Sequence, residues 1–83
     1  KMILVDIYVP SVEQRYDFNL DEHAPIRSLM EELTGMICQK EHCLLQGNKE
    51  ELLLCRYEGS TILNKNMTLA ECGVTNGTKL LLV

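Results

Sequence analysis

The segment Cys38-x-x-x-His42-Cys43 is the one local cluster of soft ligands in the sequence. On a helix, residues four apart share a face, so Cys38 and His42 would present a thiol and an imidazole side by side. A structural zinc site needs four such ligands, and Cys55, Cys72 and His23 are too scattered to form a recognisable second pair. No metal ligand is therefore assigned. A cysteine nucleophile needs a base and an orienting group converging on it, which the adjacency of His42 and Cys43 does not provide, because neighbouring helical residues point in different directions. No catalytic residue is assigned either. Cys55 and Cys72 read as small apolar residues at core positions, with Cys38 and Cys43 partly exposed near a helix end. Gly47-Asn48-Lys49 lacks the length and the hydroxyl of a phosphate-binding loop, so no cofactor is expected. The acidic pairs Glu31-Glu32 and Glu50-Glu51 read as solvated surface, and Asp6 as the polar side of a half-buried strand.

These residues belong to a chain of 83 residues, 46% hydrophobic and 24% charged, which is the size of one domain spanning 1–83. A chain so short leaves a large share of its surface in water, and a deep substrate cleft is hard to build on it. A binding module is the expected class. Twelve acidic against eight basic residues give a net charge of −4, the wrong sign for gripping a phosphate backbone, so nucleic acid is excluded as the expected partner. The runs Met2-Ile3-Leu4-Val5 and Leu80-Leu81-Leu82-Val83 fall far short of the roughly 18 apolar residues of a membrane helix. No direct membrane insertion and no secretion signal are expected. The four cysteines, in a chain with a rich apolar inventory, read as reduced thiols of a cytoplasmic protein.

Elements follow from periodicity. Ile3, Val5, Ile7 and Val9 alternate with Leu4, Asp6 and Tyr8, predicting a strand with one buried face. After Pro10-Ser11 the alternation resumes at Tyr16, Phe18 and Leu20, so the first two strands form a hairpin. At Ile26 the period changes: Ile26, Leu29, Met30, Leu33 and Ile37 trace one side of a helix. Pro25 suits its first position, Asp21 and Glu22 lie near its positive end, and its finish falls between Lys40 and Gln46. A strand over Leu52 to Tyr57 and a short one at Thr61-Ile62-Leu63 follow. Thr68-Leu69-Ala70-Glu71 has capping-box spacing, and Gly73 can close the turn that it starts. Asn76-Gly77 then turns the chain into a last strand, Lys79 to Val83.

The order β-β-α-β-β, a helical turn and β predicts an α+β fold: a ubiquitin-like β-grasp, a mixed sheet of about five strands with one helix packed across it. The chain resembles ubiquitin-like proteins over nearly its whole length, most clearly in Glu58-Gly59, Thr68 to Glu71, Val74 and Asn76 to Leu80. Within them it is similar to the YukD/EsaB proteins of type VII secretion in Gram-positive bacteria. The helix start Ala24-Pro25-Ile26-Arg27-Ser28-Leu29 and the long stretch between helix and third strand carry that likeness. Ubiquitin-like modifiers are conjugated through a flexible carboxyl-terminal glycine, whereas this sequence stops at the β-branched Val83, so conjugation is not expected.

If Leu53, Cys55, Leu80 and Leu82 face the helix, alternation sends Leu54, Arg56, Leu81 and Val83 to the opposite face. These four are the candidate protein-binding residues. In ubiquitin the equivalent face is the recognition surface, built around an isoleucine; Arg56 at the matching position implies a different partner. The resemblance implies a non-catalytic cytoplasmic adaptor, docking onto a protein component of the secretion machinery or its regulator and reaching the membrane only through that partner. Two alternatives stand beside it. One is a ubiquitin-like cytoplasmic domain of a larger membrane protein of the same pathway; the other is a small thiol or metal protein using Cys38, His42 and Cys43.

Overall fold

The hairpin expected from the first alternating runs is present in the computed structural model, which describes residues 1–42 and 51–83. β1 (Met2–Val9) and β2 (Gln14–Asp21) pair antiparallel through eight residues, from Met2 opposite Asp21 to Val9 opposite Gln14. A single turn of 3-10 helix, Pro10–Val12, joins them, closed by Glu13 in the left-handed conformation with its N–H donated to the Pro10 carbonyl.

Helix α1 (Ile26–Glu41) buries Ile26, Leu29, Met30, Leu33, Thr34 and Ile37, which include every position of the expected stripe. Its start differs by one residue from the expectation. Pro25 has φ −59° and ψ 136°, so it caps the helix and Ile26 is the first helical residue. The reason lies in the later chain: Ile26 and Arg27 donate their otherwise unpartnered N–H groups to the carbonyls of Met67 and Lys65, while Pro25 forms a bridge with Thr68. The Asp21 carboxylate accepts the His23 N–H in the turn before the helix, and no acid occupies the first helical turn. At the far end His42, left-handed, returns its N–H to the Cys38 carbonyl, inside the range expected for the finish.

β3 (Leu54–Arg56) and β4 (Lys79–Leu82) complete a mixed sheet in the order β2-β1-β4-β3, with β4 parallel to β1 and antiparallel to β3. The sheet therefore has four strands among the described residues, not five. Thr61 to Leu63 makes one bridge, Ile62 to Cys55, with flanking bonds from Arg56 N–H to Thr61 and from Leu63 N–H to Leu54. That is a single ladder step, too short to count as a strand.

Turn chemistry fixes the register of the second half. Thr68 and Glu71 exchange bonds as a capping box does, at 2.9 and 3.1 Å, and Gly73 closes that turn at φ 73°. Asn76 Oδ1 accepts the Leu4 N–H at 2.7 Å, and Gly77, at φ 84°, donates to the Leu4 carbonyl. The turn thus locks β4 beside β1. The inner sheet face, α1, Leu63, Leu69 and Val74 form one core, in which Val5, Ile7, Ile26, Leu33, Leu54 and Leu69 are fully buried. A helix laid across one side of a mixed sheet is the β-grasp arrangement.

Candidate docking face

Because the helix covers one side of the sheet only, parity along each strand decides what the other side presents. On β1 the buried odd-numbered residues Ile3 to Val9 leave Leu4, Asp6 and Tyr8 outward. On the second pair of strands the register is Leu54 opposite Leu82, Cys55 opposite Leu81 and Arg56 opposite Leu80. Leu80 and Leu82 are core residues, so Leu54 and Arg56 share their inner side and Cys55 shares the outer side with Leu81.

This corrects half of the expected face. Leu54 is fully buried against the helix side of the sheet. Arg56, also inward, reaches across the end of the core and donates from Nη2 to the Cys72 carbonyl at 2.8 Å, at the close of the capped turn. It is a tie between β3 and that turn. Leu81, half-buried, and Val83, 46% exposed, do lie outward. Val83 exchanges backbone bonds with Leu53 at 2.7 and 2.9 Å, so Leu53 joins the outer side.

The outer residues line up in a row across the whole sheet: Ile62, Cys55, Leu81, Tyr8 and Arg15, each directly opposite the next. Ile62 is 59% exposed at one end. Cys55, between Ile62 and Leu81, is covered, and that burial pushes its thiol pKa up by disfavouring the anion. At the other end the Arg15 guanidinium lies 5.5 Å from the centre of the Tyr8 ring and bonds both oxygens of Asp6 at 3.2 Å. The strip is apolar over its first half and polar over its second, an arrangement suited to recognising another protein surface.

Sequence reasoning missed Cys55, Ile62 and Leu53 as members of this face. The run Leu52-Leu53-Leu54-Cys55 is apolar at every position and carries no alternation from which parity could be read. Only the partner strand, with Leu80 and Leu82 inward, settles it.

The remaining candidates stand apart. Cys38 is half-buried and His42 exposed beyond the last helical turn, where its left-handed backbone takes it off the helical spacing. Cys43 and Glu50 lie outside the described residues. Cys38, Cys55 and Cys72 are free thiols, with Cys72 packed against the core. Cys55, expected in that core, is buried on the other side of the sheet. Among the described residues no three metal-binding side chains come together. Glu31, Glu32 and Glu51 are exposed, and no helix among the described residues is long and apolar enough to cross a membrane.

Residues 3–82 match the family model described as WXG100 protein secretion system (Wss), protein YukD. No curated protein sequence matches at a significant level. Among solved structures the chain is similar to the ubiquitin-like domain of EccD5 from Mycobacterium xenopi, at 24% identity and a TM-score of 0.80, covering 100% of this chain and 93% of that one. It is likewise similar to the ubiquitin-like domain of the type VII secretion system protein ECCD1 of Mycobacterium tuberculosis, at 19% identity and a TM-score of 0.76, covering 100% and 98%. A chain of an ESX-5 inner membrane complex free of MycP5 matches with a TM-score of 0.83 and 18% identity, over 99% of this chain but 20% of that one. At these identities the structural likeness establishes a ubiquitin-like fold.

Proposed function

The chain belongs to the YukD family of the WXG100 protein secretion system, and from that premise we propose that it is a non-catalytic, ubiquitin-like adaptor acting by reversible docking and not by covalent conjugation. The partner is a protein component of the secretion machinery or its regulator. It is cytoplasmic and reaches the membrane through that partner.

The observation that carries this reading is the outer row. A sheet side that its own helix leaves uncovered places Ile62, Leu81 and Val83 on one strip, next to the Tyr8, Arg15 and Asp6 cluster. Of the four residues first expected to dock, Leu81 and Val83 remain in the proposed surface, joined by Ile62 and Leu53. Leu54 and Arg56 serve the fold. The placement of a similar fold within an ESX-5 inner membrane complex supports a protein partner of this kind.

Co-purification of the tagged chain from its native cells, comparing wild type with Leu81→Glu and Ile62→Glu, tests the proposal. Both side chains point away from the core, so both variants are expected to fold and to lose secretion-system components identified by mass spectrometry. Retention of every component by both variants rejects this surface, and capture of none by the wild type rejects the adaptor.

A second reading has one observation in its favour: the similar fold in the ESX-5 complex is a fifth of a longer chain. In that case residues 1–83 are the ubiquitin-like domain of a larger membrane protein. A reading frame continuing past residue 83 into apolar spans supports this second reading, and a stop codon there supports the free adaptor.

A further inference from the structure

β2 is an edge strand. In the order β2-β1-β4-β3 it pairs, among the described residues, only with β1, through eight residues with neither proline nor bulge. One bond shows which of its backbone groups are used. Glu22 N–H donates to the Lys1 carbonyl at 3.0 Å, and hydrogen-bonded pairs alternate along an antiparallel ladder. Leu20, Phe18, Tyr16 and Gln14 therefore turn their N–H and C=O groups towards β1, while Arg15, Asp17 and Asn19 turn theirs away from the sheet. The opposite flank of β1 agrees: Leu4 and Asp6 bond towards the β4 side, at Asn76, Gly77 and Thr78. Natural edges are usually blunted by proline, bulges or inward charges. Here the inward side chains are Gln14, Tyr16, Phe18 and Leu20, none of them charged, and Phe18 is only partly covered by the core.

We propose that this edge pairs with β2 of a second copy of the chain, antiparallel about a two-fold axis through Phe18, to give a dimer with one continuous sheet. The side chains of β2 are complementary to themselves in that register. Arg15 faces the second copy's Asp21, Asp17 faces its Asn19, Tyr16 faces its Leu20, and the two Phe18 rings meet on the axis. Each Asp17–Asn19 pair exchanges two backbone bonds through groups that otherwise point away from the sheet. Neighbouring registers that keep those groups paired are penalised by charge: centring on Asp17 opposes the two Asp17 carboxylates, and centring on Asn19 sets Asp17 against Asp21. Centring on Tyr16 retains an Asp17–Arg15 contact but shortens the overlap and leaves Phe18 opposite Gln14. Charge and overlap together select Phe18.

Sedimentation velocity on the full chain, at subunit concentrations up to about 1 mM, tests the proposal. The expected result is a reversible dimer. Asn19→Asp opposes two carboxylates at both symmetric pairs and weakens association about tenfold, while Asn19→Lys strengthens it by a similar factor. Asn19 is exposed, and circular dichroism confirms that both variants fold. The register has its own readout in Phe18→Cys. Position 18 is a non-hydrogen-bonded pair with its counterpart, with Cα atoms about 4.5 Å apart, within the span of a disulfide. Mild oxidation then yields a linked dimer whose bond maps to position 18, with none in the wild type. A monomer at every concentration, a dimer indifferent to both Asn19 substitutions, or no linkage at position 18 overturns the proposal. So does a monomer whose β2 edge takes up an unrelated extended peptide.

Discussion

Cys55 stands directly across the β3–β4 ladder from Leu81, while Leu54, one residue earlier, stands opposite Leu82. That one-residue offset divides β3 between two environments. Leu54 belongs to the helix-covered core, and Cys55 to the outer row with Ile62 and Tyr8.

The offset predicts unequal costs for the same deletion on facing strands. Leu54→Ala empties a fully buried site and is expected to cost about 2–5 kcal/mol, the loss of transfer energy plus a cavity. Leu81→Ala removes a half-buried side chain facing outward and is expected to cost under about 1 kcal/mol. Urea unfolding measures both. Equal losses, or the reverse order, refute the assignment of faces.

The Cys55 thiol yields a prediction with a definite sign in pH. Burial raises its pKa above the ordinary 9.0, so above that pH the unfolded chain gives up the proton more readily than the folded one. Its contribution to stability is therefore fully present below pH 9.0 and is lost as pH rises through the folded value. Unfolding followed from pH 8 upwards by denaturant should show a decline that is smaller in Cys55→Ala. A parallel readout is alkylation by iodoacetamide, expected to be slow at Cys55 until the chain unfolds, because the thiolate is the nucleophile. Rapid native labelling of Cys55 contradicts its covered position.

Much of this fold is legible in the sequence because each element carries its own period or its own turn chemistry. Ile3 to Val9 alternate, Ile26 to Ile37 step by three and four, and the Thr68–Glu71 box and the Asn76-Gly77 turn form as their spacing requires. What local pattern does not carry is information held by a partner segment. Leu52 to Cys55 shows no alternation, so its inward side was set by Leu80 and Leu82, more than 20 residues later. Pro25 gave way to Ile26 as the first helical residue because carbonyls at Lys65 and Met67 receive the first helical N–H groups. Arg56 reads as surface charge until its guanidinium is seen at the Cys72 carbonyl.

That tie is itself testable. Arg56 Nη2 donates to the Cys72 carbonyl at 2.8 Å, and a hydrogen bond from a charged donor contributes about 1.5–3 kcal/mol. Arg56→Met keeps the length of the stem and is expected to lose about 1–2 kcal/mol, since the site is only part-buried and water can replace some of the bond. Amide exchange at Gly73 and Val74, whose N–H groups bond within the same turn, should accelerate more than exchange in β1. A uniform rise across the chain would show instead that Arg56 acts on global stability alone.

Gly35 is the position where stability should be gained. It lies inside α1 on the exposed side, and a Cβ built there meets nothing within 4 Å. Glycine within a helix costs about 0.5–1 kcal/mol relative to alanine, mainly through the conformational freedom that the unfolded chain must give up. Gly35→Ala is therefore expected to stabilise the domain by about that amount. For a domain of this size, a gain of 1 kcal/mol raises the melting temperature by about 4–8 °C. Since Gly35 is on the helix and not on the uncovered side of the sheet, the same variant should retain every partner that the wild type captures. A lower melting temperature would mean that the backbone at position 35 is not helical, and a selective loss of partners at unchanged fold would move the docking surface from the sheet to α1.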